Sequence, residues 1–113
     1  MDLSVIITAH KEGLYLYKTL LSVQKSLEKL SKVNTEIVIN LDNADKETKR
    51  VANLYKRQDL RVKLYDVSFG NPADNRNDAI GKAKGTYIAI LDGDDLISEN
   101  WLSSAYDMIK QQH

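Results

Sequence analysis

Four short apolar runs recur along this chain, and a helix-patterned stretch follows each of them. The runs are "LSVIIT" (3–8), "TEIVINL" (35–41), "RVKLYDV" (61–67) and "TYIAIL" (86–91). The first is a continuous, mostly β-branched stretch of the kind found in strands buried on both faces; the third alternates and reads as more exposed. After the first run, Leu14, Tyr17, Leu20, Leu21, Leu27 and Leu30 recur at helical spacing. After the second, "DNADKETKRVANLYKRQ" opens with capping residue types and carries Val51, Leu54 and Tyr55 on one face. The turn "SFGNP" separates the third run from a less apolar helix, "ADNRNDAIGKAK", with Gly85 where a helix C-cap is expected. "SENWLSSAYDMIKQQ" is the last helix. Ser98 is its expected N-cap, and Trp101, Leu102, Ala105 and Ile109 share a face expected to be core. Strict alternation of strand and helix implies a parallel sheet with helices on both faces.

A length of 113 residues allows one small domain, and 42% hydrophobic residues can supply its core. Sixteen basic residues balance sixteen acidic ones, which argues against a non-specific nucleic-acid binder, since that needs a basic face. Without cysteine, thiolate metal sites and disulfides are excluded. The apolar runs are too short to span a membrane, and the first ten residues lack the basic flank of a signal peptide, so a cytoplasmic domain is expected.

One segment breaks the even distribution of charge. "LDGDD" places Asp92, Asp94 and Asp95 in four positions at the end of the fourth strand. Two unit charges about 5 Å apart repel by roughly 3 kcal/mol at an effective dielectric of about 20. Solvation, a helix N-terminus or a bound cation could relieve that repulsion. Carboxylates with no sulfur or imidazole beside them suit Mg²⁺ or Mn²⁺. A calcium EF-hand fails, because the position that needs glycine is Ile97. Open parallel sheets bind ligands beyond the carboxyl ends of their strands, and "TAHKE", "LDNAD" and "LDGDD" all fall there.

The blocks "SVIITAHKE", "EIVINLDNAD", "RNDA" and "GTYIAILDGDD" occur in the order and approximate spacing of family 2 glycosyltransferases with the GT-A fold, and the chain resembles their N-terminal, nucleotide-binding half over nearly its whole length. The resemblance implies a Rossmann-like α/β half domain, a mainly parallel four-stranded sheet flanked by helices. It implies a single donor domain over residues 1–113 that stops before the acceptor-binding half. The implied reaction moves a sugar, with inversion, from a nucleotide sugar, a UDP-sugar above others, to an acceptor hydroxyl on a saccharide or lipid-linked acceptor. The general base is expected in the C-terminal half and matches no residue here. Asp94 matches the family's metal ligand, with Asp92 beside the ribose or the cation's waters, Gly93 between them, and Mn²⁺ or Mg²⁺ as cofactor. Thr8 and Ala9 match positions near the base, and His10 replaces an aromatic residue that stacks on it. Glu12 stands beside them, where Lys11 and Glu12 replace the usual residues. Asp42 matches an acid that accepts a hydrogen bond from uracil, although Leu41 breaks the usual acidic doublet. Arg76 matches an arginine that reaches the diphosphate. The bare fourth-strand edge suggests self-association into a homo-oligomer, and a longer protein would work at the cytoplasmic face of a membrane. Two other readings are a catalytically inactive nucleotide-binding module and a receiver or flavodoxin-like signalling domain. The second is weakened because strand one ends in Thr8-Ala9-His10, not in acids.

Overall fold

The computed structural model describes residues 1–111. The last residue of the predicted final helix, Gln112, lies outside them. The elements alternate as the sequence requires: β1 (Leu3–Ala9), α1 (Leu14–Leu27), β2 (Thr35–Asp42), α2 (Lys46–Gln58), β3 (Val62–Val67), α3 (Pro72–Lys82), β4 (Tyr87–Asp92) and α4 (Trp101–Gln111), with a 3₁₀ turn at Glu28–Leu30. All strand pairs are parallel and the order is β3-β2-β1-β4. The chain steps outward from β1 to β2 to β3, then returns to place β4 on the other side of β1. The direction of winding therefore reverses between β1 and β4, the position where open α/β sheets hold ligands.

The central strands are buried throughout, as their unbroken apolar sequence demands. One face of the sheet packs Val5, Ile7, Ile37 and Ile39 against α1, α2 and α4 in the main core. The other face is thinner, with Ile6 and Val38 packed against Ala79 of α3. Among the described residues no helix is long and apolar enough to cross a membrane.

Five local expectations are corrected. The buried stripe of α1 is Leu16, Thr19, Leu20, Val23, Ser26 and Leu27, whereas Leu14 and Leu21 are exposed. Thr19 and Ser26 belong to the stripe because their hydroxyls bond backbone of later segments: Thr19 Oγ1 donates to the Gly93 carbonyl and Ser26 Oγ accepts from Leu102 N–H. A count of large apolar residues cannot find such positions. Leu54 is exposed as well, while Val51 and Tyr55 are core. Ser98 does not cap the last helix, which starts only at Trp101; the Ser98 carbonyl instead accepts from Trp101 N–H in a preceding turn. Trp101 and Ile109, both expected in the core, are 42% and 37% exposed, because β4 is an edge strand and no described residue lies beyond it to bury them; Leu102 of the same face is core.

Gly85 is the fifth correction. Helix α3 ends at Lys82 with Ala83 as its C-cap. Gly85 is required two residues later by a close approach: a Cβ there would lie 2.5 Å from the backbone nitrogen of Ser4. The contact belongs to a network in which Gly85 N–H donates to Ser4 Oγ and Ser4 Oγ donates to Glu36 Oε2 at 2.6 Å. Lys84 N–H donates to the same Glu36 oxygen at 2.7 Å. Burial alone would raise the Glu36 pKa, but the Ser4 hydroxyl, the Lys84 N–H and the charges of Lys63 and Lys84 hold it below the ordinary range.

Candidate nucleotide-sugar site

A cleft of about 400 Å³ opens over the carboxyl ends of β1, β2 and β4. Thr8, Ala9, His10, Glu12, Asp42, Arg76, Asp92 and Asp94 all line it. Of the nine residues expected at the site, only Gly93 is missing from the lining.

Gly93 is buried directly beneath. Its N–H donates to the Thr8 carbonyl at 2.8 Å. A Cβ at this position would lie 3.0 Å from that of Ala9 and 3.1 Å from the Glu12 carboxyl carbon. Both contacts are tight, so a larger residue here would need Ala9 or the Glu12 side chain to give by a few tenths of an ångström.

The three acids of the turn take different roles. Asp95 turns back, and its Oδ2 accepts from Asp92 N–H at 2.8 Å. Asp92 and Asp94 are exposed on the cleft, and neither forms an ion pair among the described residues. Thr8 Oγ1 lies 3.5 Å from Asp92 Oδ1. The described residues contain no group of three or more His, Cys, Asp or Glu side chains placed to hold a metal. Two free carboxylates fit a cation that keeps waters and takes further oxygens from a phosphate, as Mg²⁺ does.

Across the cleft, Asp42 is buried and holds the loop after β3. Its carboxylate accepts from Phe69 N–H at 2.8 Å and from Gly70 N–H at 3.0 Å. Its backbone carbonyl accepts from His10 Nδ1 at 2.6 Å. A carbonyl can only accept, so Nδ1 carries the proton and Nε2 of a neutral ring is left as an acceptor. The His10 N–H donates to the Glu12 carboxylate, which fixes the chain as it leaves β1. Asp42 thus has a positioning task that the sequence does not announce, and carboxylate lone pairs remain beyond those it uses.

Arg76 lines the cleft from the first turns of α3 and makes no ion pair among the described residues. Its acidic neighbour Asp78 is bound elsewhere, to Lys82 Nζ at 2.6 Å and to Asn40 Nδ2 at 2.9 Å. The guanidinium is therefore available to an anionic ligand. The backbone N–H groups at the start of α3 are not, because Asn71 Oδ1 accepts from Ala73 N–H and Asp74 N–H.

Sequence reasoning missed four lining residues, Gly70, Asn71, Pro72 and Asn75. Gly70 and Asn71 lie in the loop that leads to Pro72 at the start of α3, and its path is set by Asp42, through contacts 27 and 28 positions apart. Asn75 had no legible signal, because it is buried against the β2 face that carries Asn40.

The profile of Glycosyl transferase family 2 matches residues 4–113. The chain belongs to this family. It is 28% identical over 111 residues to the glycosyltransferase GlyG of Streptococcus pneumoniae, covering 97% of this chain and 36% of that protein. An uncharacterized glycosyltransferase of Haemophilus influenzae is 30% identical over 112 residues, covering 98% of this chain and 43% of that one. The crystal structure of Staphylococcus aureus TarS residues 1–349 in complex with UDP-GlcNAc superposes with a TM-score of 0.81 at 26% identity. That match covers 98% of this chain and 32% of TarS 1–349. The fold is therefore GT-A, and the chain spans about a third to two fifths of these relatives' length.

Proposed function

We propose that residues 1–113 form the donor-binding domain of a metal-dependent, inverting glycosyltransferase that uses a UDP-sugar. The observation that carries this reading is the cleft at the β1/β4 reversal point, which has on one side two carboxylates and also an arginine that make no ion pair among the described residues, and a ring and an amide toward β2. The same region of TarS, at 26% identity, comes from structures solved with UDP and with UDP-GlcNAc, which supports UDP as the nucleotide.

Asp94, with Asp92 beside it, would hold Mn²⁺ or Mg²⁺. Such an ion, when bound, neutralises charge on a departing diphosphate. Arg76 adds a permanent positive charge to the diphosphate oxygens. Thr8 and Ala9 form the floor under the nucleoside, His10 offers its ring to the base, and Asp42 accepts from the base with its remaining lone pairs. Glu12 and Gly93 position these groups through the chain path after β1 and β4. An acceptor hydroxyl, on a saccharide or a lipid-linked carrier, would displace the nucleoside diphosphate from the anomeric carbon with inversion. The general base lies outside the residues named here.

Thermal melting with UDP, GDP and dTDP, each with and without Mn²⁺, tests the reading. A nucleotide at about 100 times its dissociation constant adds roughly 2.7 kcal/mol of stability. UDP is expected to raise the melting temperature most, and only with the metal. Unchanged melting with all three nucleotides would reject the proposal.

A further inference from the structure

Asn40 interrupts the apolar run of β2 and is fully buried. Its amide is turned toward α3: Nδ2 donates to Asp78 Oδ2 at 2.9 Å and lies 3.4 Å from the Asn75 carbonyl. Both partners are acceptors, so the NH₂ end must face them, and its two hydrogens serve the two. The other end, Oδ1, is buried without a partner among the described residues. A buried unpaired acceptor costs stability, and each one calls for an explanation. Valine, common in buried parallel strands, would fill the same place with no orphan. What the amide adds is a directed hold on α3.

Little else fixes that helix. Of its eleven residues only Asn75 and Ala79 are buried, one turn apart. Ala79 packs on Ile6 and Val38 in the smaller core. Apolar contact is non-directional, so one alanine sets how close α3 comes to the sheet but neither its roll nor its slide. Hydrogen bonds to residues 75 and 78 constrain both. The Asp78 end is braced from the side, because Lys82 Nζ lies 2.6 Å from Asp78 Oδ2 and 4.1 Å from the centre of the Tyr65 ring on β3. Lys82, and after it Asn40, hold the Asp78 carboxyl below its ordinary range. It is therefore ionised at neutral pH, and the bond from Asn40 is charge-assisted.

Arg76 lies between the two residues that Asn40 grips. It lines the cleft, and its side chain makes no ion pair or hydrogen bond among the described residues. With no partner to hold the guanidinium, its placement is inherited from the α3 backbone. We propose that Asn40 is a positioning residue of this site, its buried amide setting the roll and slide of α3 and through them the reach of Arg76 to a diphosphate. This rests on the reading of the cleft as a nucleoside diphosphate sugar site. Asn40 itself touches no ligand, since its oxygen is sealed and its donors are used within the fold.

The test is a double-mutant cycle on UDP affinity, measured by titration in the presence of Mg²⁺ and read from amide chemical shifts. Asn40→Val is expected to weaken UDP about fivefold or more, and Arg76→Ala about tenfold or more. In the Arg76→Ala background, Asn40→Val is expected to change the affinity by less than about twofold. Asp78→Ala, at a partly exposed position, repeats the cycle if Asn40→Val does not fold. Removing a negative charge beside Arg76 would by itself favour an anion, so a weakening of about threefold that disappears without Arg76 reports the lost hold. If Asn40→Val weakens UDP by the same factor with and without Arg76, the amide is a packing element and the proposal falls alone. It also falls alone if Arg76→Ala weakens UDP while Asn40→Val leaves the affinity unchanged, or if Asp78→Ala strengthens it. If Arg76→Ala has no effect on UDP, the proposal falls together with the role given to Arg76. If the unsubstituted chain binds no UDP, both this proposal and the function it rests on are overturned.

Discussion

Two polar clusters lie at opposite ends of the sheet, and they are built in opposite ways. At the amino end of β3, Asp59 is fully used. Its oxygens accept from Arg61 Nε at 2.9 Å, Arg61 Nη2 at 2.8 Å, Arg61 N–H at 3.0 Å and the Tyr55 hydroxyl at 2.8 Å. At the carboxyl end, among the described residues, Asn40 and Asn75 each keep an unpartnered oxygen, and Asp92, Asp94 and Arg76 face the cleft without ion partners. A closed cluster of the first kind fixes a chain reversal and is complete in itself. An open one forgoes stability that a ligand could restore. The closed clusters should therefore respond to mutation in stability, and the open one in binding.

The largest effect is expected at the other closed network, around Gly85. Gly85→Ala forces a Cβ to 2.5 Å from Ser4 nitrogen and 2.6 Å from Ser4 Oγ, both held against the buried Glu36. The loss should be about 3 kcal/mol in urea unfolding, near the upper end for overpacking. A loss below about 1 kcal/mol would mean that the β1 and β4 entries can slide apart and that the network is not closed.

Acid sharpens the comparison at Asp59. The bonds from Arg61 hold its carboxyl down to about 2, against the opposing effect of burial and with help from the Tyr55 hydroxyl. A depressed folded-state pKa adds stability that is present above the unfolded value of about 3.9 and is lost as the pH falls toward the folded one. Asp59→Asn should thus be less stable than the unsubstituted chain at pH 7, and the gap should narrow between pH 4 and pH 2. A gap independent of pH over that range would show that charge is not what closes the cluster. Tyr55→Phe removes one partner and leaves the others, so a loss of about 1 kcal/mol is expected.

The smallest effect on stability should come from the open site. Asp94→Asn is expected to change unfolding free energy by less than about 0.5 kcal/mol, as exposed substitutions do, and to abolish the extra stabilisation by UDP and Mn²⁺. Equal stabilisation of the variant would remove Asp94 from the cation's ligands.

Much of this architecture is legible in the sequence because buried parallel strands must be apolar throughout, and "LSVIIT" and "TEIVINL" have few other ways to fold. Alternation gives the class, and the acidic turn gives the end of the sheet that holds the site. The order β3-β2-β1-β4 is not legible, because no local pattern says on which side of β1 the fourth strand lies. Thr19, Ser26 and Asn75 escape a periodicity reading for a related reason. Each is polar, and each is buried by a segment distant in sequence: Gly93, Leu102, and the β2 face carrying Asn40. Gly85 was placed as a cap because its near neighbour, Ser4, stands 81 residues away. What depends on neighbours along the chain can be read from the chain, and what depends on neighbours across the sheet needs the structure.

Anomalous diffraction at the manganese edge, from crystals soaked in MnCl₂ and UDP, tests the central claim most directly. A single manganese peak within bonding distance of the Asp94 carboxylate and of the diphosphate, with the uracil toward Asp42, is the predicted result. Manganese bound elsewhere, or UDP in the cleft with Asp92 and Asp94 both facing bulk water, would contradict it.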